Sequence, residues 1–362
     1  MPEQHTSNLA AQLRRRPPFG SRQTVLVTGG SGVVGQGLLP RLAGMDVICL
    51  VHRTPIGRPG VVSVAGDLMQ PRFGLSESDY DALARRVDAV VHCAAVTEFN
   101  RTDGSLEATN IGGTEQVLAF VAAAGARLYH VSTAFLHAQA TGGRGETAVR
   151  YAASKRAGEA LVKASGLPHV ILRPSVVVGD SATGEVSAFQ GLYLVAGAIL
   201  SALVPLIPFD PAWPIDFIPN DVVADAIAVA VERELTSGEL WLTAGDRALS
   251  FDQAVQEVVT FGREIGLPVD PPRFVPPDVF DRLIGPVFLE FLPRTVRYTV
   301  SRLLEFFTIY LAMDGAMPNS LNELAALGAK PLPDSSQTLR SSLRYWAEAT
   351  GRLSEPDQSE VA

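Results

Sequence analysis

The chain has 362 residues, 47% of them hydrophobic and 19% charged, with a net charge of -8 and an isoelectric point near 5.3. That length supports one large domain or two modest ones with a substantial core, and the acid excess argues against a nucleic-acid partner, whose phosphates need a basic face. Two cysteines, Cys49 and Cys93, make no disulfide framework in so long a chain; reduced and inside apolar runs, they fit a cytoplasmic protein.

Residues 1–22 include Arg14, Arg15 and Arg16 followed by Pro17 and Pro18, and read as a disordered tail with no signal-peptide run. Residues 353–362 read the same way. Thr24–Thr28 is a β-branched strand that stops at glycines, and apolar residues from Gly32 to about Leu42 fall at helical spacing. Val47–Val51, Val61–Val64 and Ala89–Cys93 predict three more strands, with a helix at Asp81–Arg86 between the last two. A helix over Asn110–Ala123, a strand at Leu128–Ser132, a helix opening at Tyr151 and ending at Ala164, and a sixth strand from Val170 follow. This alternation predicts an α/β fold, a Rossmann-type doubly wound parallel sheet. In the common order the first strand separates the second from the fourth, which holds Cys49 and Cys93 beyond disulfide reach.

After Asp180 the rhythm breaks. The expected division is a sheet domain of residues 23–180 plus 213–245, and a smaller, mostly helical substrate-binding region of 181–212 plus 246–352. Residues 186–209 carry no charge, and Gly191, Gly197, Pro205 and Pro208 fragment them, so a buried or substrate-lining helix is expected rather than a membrane span. Leu192, Leu194, Ile199, Leu203, Leu206 and Ile207 could line a groove for an alkyl chain or pack against the later helices. Arg294, Arg297 and Arg302 lie on an amphipathic stretch, a solvated face with peripheral membrane or acidic-carrier contact as the other reading.

The first strand runs into Thr28, Gly29, Gly30, Ser31, Gly32, Val33, Val34 and Gly35, with glycines where a backbone must approach a pyrophosphate. The second strand ends in Val51, His52 and Arg53, without the acid that holds ribose hydroxyls in NAD enzymes. Arg53 stands where a 2′-phosphate would lie, which favours NADPH over NADH.

Tyr151 and Lys155 share a helix face at i, i+4. A cation there should lower the phenol's pKa and suit it to proton donation as hydride reaches a carbonyl carbon. Thr133, at the carboxyl end of the fifth strand, can offer its hydroxyl to the same oxygen; Ser132 is its competitor, and a turn-capping hydroxyl is its plainer role. His92, His130 and His137 lack metal-ligand spacing and read as ordinary strand-end or loop residues.

With TGGSGVVG at 28–35, GDL at 66–68, HCAAVT at 92–97, NIGGT at 110–114, VSTA at 131–134, YAASK at 151–155 and RPSVVVGD at 173–180, the sequence resembles the extended short-chain dehydrogenase/reductases over about residues 23–245. RPSVVVGDSATG and IDFIPNDVVADAI resemble its thioester-reductase and fatty-acyl reductase group, also called male-sterility-type proteins. The resemblance implies that Asp67 and Leu68 flank the adenine, that Ala94 and Ala95 line the dinucleotide, and that Asn110 braces the sheet. It also puts Pro174, Ser175 and Val176 beside the nicotinamide, with Lys155 on its ribose. The implied activity is NADPH-dependent reduction of an acyl thioester to an aldehyde, which a second hydride could take on to an alcohol, with the thioester arriving on a separate carrier protein or on coenzyme A. The alternatives are an NADP-dependent ketone/alcohol dehydrogenase of a hydrophobic or natural-product substrate and a non-catalytic NADP-binding sensor or scaffold.

Overall fold

The computed structural model describes residues 22–52, 55–97, 103–137, 146–280, 282, 297, 303 and 315–353. The expected tails, and Arg53, Arg294 and Arg302, lie outside these residues.

The strands are β1 (Thr24–Thr28), β2 (Asp46–Val51), β3 (Val61–Ala65), β4 (Ala89–His92), β5 (Arg127–Val131) and β6 (His169–Pro174). Shorter pieces follow as β7 (Val176–Val178), β8 (Leu206–Ile207), β9 (Pro214–Ile215) and β10 (Phe217–Pro219), before β11 (Glu239–Leu242) returns to the main sheet. Seven strands form one parallel sheet in the order β11-β6-β5-β4-β1-β2-β3. Cys49 on β2 and Cys93 after β4 flank β1, and both are free thiols.

The helices are α1 (Val33–Leu38), α2 (Glu77–Ala84), α3 (Gly113–Ala124), α4 (Glu146–Ala164), α5 (Leu192–Leu200), α6 (Asn220–Glu232), α7 (Phe251–Glu264), α8 (Leu321–Ala326) and α9 (Ser335–Ala349). Side chains alternate across a strand, so a parallel sheet covered on both sides is apolar on both. Val25, Val27, Cys49, Val91, Tyr129 and Leu172 share a core with Leu38 of α1 and Val223 and Ile227 of α6. On the other face Leu26, Ile48, Val90, Leu128 and Ile171 pack with Leu83 of α2, Phe120 of α3 and Val162 of α4.

Two helices start earlier than their apolar periodicity indicates. α2 begins at Glu77 because Ser76 caps it, its Oγ accepting from the Asp79 amide at 3.2 Å. α4 begins at Glu146, so Tyr151 stands more than a turn inside the helix rather than opening it. The residues ahead of Tyr151 carry no apolar stripe for periodicity to find.

A third core joins α5, α7 and α9 to the end of the sheet. Tyr193, Val195 and Ile199 meet Val255 and Val258, together with Leu339, Leu343 and Trp346, and Phe135 and Tyr151 belong to the same cluster. Gly197 lets the Trp346 ring lie close: a Cβ there would be 3.2 Å from the indole. The uncharged stretch therefore does not form a continuous apolar wall. Leu192, Ile199 and Ile207 are consumed in this core, while Leu194, Leu203 and Leu206 keep partial exposure. Among the described residues, no helix is long and apolar enough to cross a membrane. Trp213 sits at the junction, where its carbonyl accepts from the Phe251 amide at 2.8 Å as α7 begins.

The segment before α8 runs along the outer side of β11. Ser320 donates its amide to the Trp241 carbonyl at 2.8 Å and accepts the Trp241 amide on Oγ at 3.1 Å. Beyond α8, Lys330 reaches Asp221 at the start of α6, beside Ser181.

Candidate active site

At the end of β1 the chain is folded so tightly that side chains have no room. Gly29 has φ +72°, and a Cβ on it would lie 2.5 Å from the Ala94 amide nitrogen. On Gly35 it would lie 2.3 Å from the Gly29 carbonyl oxygen, and on Gly30 3.0 Å from Cys49 Sγ. The Gly32 amide closes the turn on the Gly29 carbonyl at 3.0 Å. Ser31 and Gly32 are exposed, with Val33 and Val34 half-buried behind them as α1 starts. The result is an open backbone cradle with a size limit of no side chain, which fits a pyrophosphate.

Thr28 anchors the turn. Its Oγ1 accepts from the Ala94 amide at 3.3 Å and lies 2.7 Å from His92 Nδ1. His92 Nε2 lies 3.4 Å from Thr114 Oγ1, which donates to the Asn110 carbonyl at 2.8 Å. These directions assign the ring proton to Nε2. Burial first, and then Lys155, push His92 down to about 3, so it is neutral. It is thus a structural link and not an ordinary strand-end residue, a role visible only once Thr28 and Thr114 are seen beside it.

Asp67 and Leu68 follow β3 near the same edge. Asp67 Oδ1 accepts from the Met69 amide at 2.9 Å, its Oδ2 is 4.0 Å from His52 Nε2, and Leu68 packs over Gly113. Ala94 and Ala95 are half-buried on the β4 side. Pro174 and Ser175 are buried at the end of β6 and Val176 half-buried, and the Ser175 amide donates to the Leu242 carbonyl at 3.0 Å. Asp216, given no role from sequence, is buried beside them and accepts from the Ala244 and Gly245 amides at 2.9 Å each.

Thr133, Tyr151 and Lys155 converge at the carboxyl end of β5, all of them buried. Burial pushes the Tyr151 phenol up to about 12, and a hydrogen bond with Thr133 works in the opposite direction. Thr133 Oγ1 also accepts from the Phe135 amide at 3.3 Å. The Ser132 hydroxyl is buried without a hydrogen-bond partner among the described residues, and Thr133 is the tyrosine's partner. Burial is the largest influence on the phenol, and Lys155 is anchored on β5. Its Nζ donates to the Val131 carbonyl at 2.9 Å, and its charge acts on His92, His130 and Cys93. Burial brings Lys155 itself down to about 8, opposed by Glu159 and then Cys93.

Asn110 sits in a π turn, Ala108–Gly112, ahead of α3. Its Oδ1 accepts from the Val96 amide at 2.9 Å, and its Nδ2 donates to the Val96 carbonyl at 3.1 Å and to Ser154 Oγ at 3.0 Å. Ser154 in turn donates to the Tyr151 carbonyl at 2.8 Å, so Asn110 ties the loop after β4 to α4. Among the described residues, no three His, Cys, Asp or Glu side chains are grouped to hold a metal ion.

The model of the family described as "Male sterility protein" matches residues 55–227, beginning after β2, so that the glycine turn lies outside the match, and running through Thr133, Tyr151 and Lys155. The terminal R domain of the myxalamid PKS-NRPS pathway has the same fold, with a TM-score of 0.72 over 94% of both chains at 24% identity. A thiolation-reductase di-domain from an archaeal non-ribosomal peptide synthetase gives 0.70 over 97% of this chain and 82% of that one, at 14% identity. A linear gramicidin synthase of Brevibacillus parabrevis is 27% identical over 285 residues, 67% of this chain. The chain spans 6% of that relative's length. Seven parallel strands with a side-chain-free turn after the first make the Rossmann-type fold that the chain shares with these reductase domains. The chain thus resembles the thioester-reductase, male-sterility-type group.

Proposed function

We propose that the chain is an NADPH-dependent reductase of acyl thioesters. The observation that carries this reading is the buried Thr133–Tyr151 hydrogen bond beside the glycine cradle, inside the segment matched by the male-sterility family. Gly29, Gly30, Ser31, Gly32 and Gly35 would hold the pyrophosphate, Asp67 and Leu68 the adenine side, Arg53 the 2′-phosphate, and Pro174 to Val176 the nicotinamide side. When bound, the nicotinamide would supply hydride to the thioester carbonyl carbon. Tyr151, protonated throughout the physiological range, holds the proton that the carbonyl oxygen requires. Thr133 Oγ1 orients that phenol and can donate to the same oxygen. Lys155 carries the local positive charge that favours an oxyanion nearby. Loss of the thiol then leaves an aldehyde, and a second reduction would give an alcohol.

The relatives' association with assembly lines favours a thioester on a carrier protein, with coenzyme A as the other source of the same bond. Reduced Cys49 and Cys93 suit a cytoplasmic setting. A second reading, reduction of a compact ketone, is favoured by one observation: Leu192, Ile199 and Ile207 are buried in the core and leave no long apolar wall. The test is NADPH oxidation against acyl-CoA thioesters, carrier-bound thioesters, aldehydes and ketones. Turnover of thioesters with release of free thiol supports the first reading, and turnover of ketones alone replaces it with the second.

A further inference from the structure

Beneath α4, the ends of β4, β5 and β6 present His92, His130 and Arg173 on one face of the sheet. Facing them from the helix are Tyr151, Lys155 and, one turn further, Glu159. Cys93 adjoins from the loop after β4. Most of these titratable groups are uncharged. His92 and His130 are held well below the usual imidazole value by burial, and the Tyr151 phenol and Cys93 thiol are pushed up to about 12. Among the described residues in this layer the charges are therefore Lys155, Glu159 and Arg173.

Glu159 and Arg173 are each 4% exposed and form a two-pronged pair, Nε to Oε1 at 2.8 Å and Nη2 to Oε2 at 2.6 Å. The guanidinium lies 4.6 Å over the Trp241 ring, which fixes its plane. Arg173 Nη2 also donates to Glu239 at 2.6 Å, and Glu239 takes Lys163 Nζ at 2.6 Å near the surface. Alternating charges thus run from solvent inward and end at Lys155. Lys155 itself has no carboxylate within 4.0 Å among the described residues, and its ammonium rests on one carbonyl. Buried carboxylates act over such distances because the interior screens poorly, and bidentate pairing prevents this one from turning away.

We propose that Glu159, locked in place by Arg173, is a positioning residue that keeps the buried Lys155 ammonium charged at the head of the site. The charge balance stands on its own; its effect on turnover rests on the function proposed above. Neutralising Glu159 would leave two buried cations facing each other across a neutral amide. Neutralising Arg173 would instead leave the Glu159 carboxylate, one turn from Lys155, with only the half-exposed Lys163 ammonium 3.8 Å from its Oε2. The two substitutions should therefore move Lys155 in opposite directions, which no purely structural role of the pair would do.

Lys155, Lys163 and Lys330 are the chain's three lysines, so protein labelled with carbon-13 at the lysine ε-carbon gives three signals, assigned by replacing each lysine with arginine. In the wild type the Lys155 signal should titrate at about 8. In Glu159→Gln the midpoint should fall by about one pH unit, a tenfold loss of proton affinity; in Arg173→Gln it should rise. Glu159→Asp should restore most of the wild-type value, and Glu239→Gln should leave it in place. The alkaline limb of kcat/KM should follow the midpoint, because activity that needs the ammonium is lost as pH rises through it. An unmoved midpoint in folded Glu159→Gln, or shifts of the same sign in both variants, overturns the proposal. If Glu159→Gln does not fold, Arg173→Gln decides: a rise upholds it, and no change or a fall overturns it. A failure of the thioester assay with these shifts intact would count against the substrate reading alone.

Discussion

The two halves of the molecule are held in place by different physics. At the carboxyl ends of β1, β4, β5 and β6, positions are set by backbone close approach and by directional bonds, from Gly29 against Ala94 to Asn110 against Val96 and Ser154. Around α5, α7 and α9 they are set by apolar filling, with Tyr193, Ile199, Leu343 and Trp346 in one cluster. Directional bonds fix individual atoms, as chemistry requires, whereas apolar filling fixes volume and tolerates exchange of shape. The first half is thus positioned atom by atom, whereas the second tolerates exchange of shape.

The largest effect expected is on stability, from the second half. Trp346→Ala should cost about 3–5 kcal/mol, the usual range for a buried tryptophan, read as a fall in thermal or urea midpoint. Cofactor affinity in the protein that remains folded should stay near normal; a large loss of cofactor affinity would mean that the two halves are not separable in this way. Next, Tyr151→Phe should lower turnover at least about 100-fold, the low end for a general acid, with little change in melting temperature or cofactor binding. Wild-type turnover in that variant would place the proton donor elsewhere.

A smaller change is expected at the cofactor's far end. Arg53→Asp should weaken NADPH binding by about tenfold or more while leaving NADH nearly unaffected, since a lost charge-assisted bond contributes about 1.5–3 kcal/mol. Equal effects on the two cofactors, by fluorescence titration, would remove Arg53 from the site. The smallest effect on folding should come from Leu203→Ser, because Leu203 is only half-buried. If the exposed remnant of the α5 segment touches substrate, this change lowers kcat/KM for long acyl groups more than for short ones. A profile that is flat with chain length in both wild type and variant would show that Leu203 and its neighbours only pack.

What was legible from sequence follows the same division. The glycine turn, the strand rhythm and the Tyr151–Lys155 spacing are local patterns, each carried within a few residues, and each lies on the kind of element its pattern indicates. The Glu159–Arg173 pair joins two elements 14 residues apart, and neither residue belongs to a pattern that marks its partner. His92 gains its role from Thr28 and Thr114, 64 and 22 residues away. The α5 segment shows the converse limit: an apolar run declares that it will be covered, and periodicity does not say whether by substrate or by α7 and α9. Lys155 adds a further case, since spacing put it beside Tyr151 and only the fold shows its ammonium turned to the Val131 carbonyl.

The segment that runs along β11 has a consequence for any shortened form of the protein. β11 is the last strand on its side of the sheet, and its outer amide and carbonyl at Trp241 are taken by Ser320. A bare outer strand offers unpaired backbone groups to any other chain. Cutting before residue 315 would strip that cover from an edge strand whose one partner, β6, is parallel. A fragment of this kind would keep the whole glycine turn and the Thr–Tyr–Lys cluster, yet molecules would stack edge to edge and precipitate. Self-association of the fragment, and its relief by adding a charged residue at Leu240, would be seen directly by light scattering.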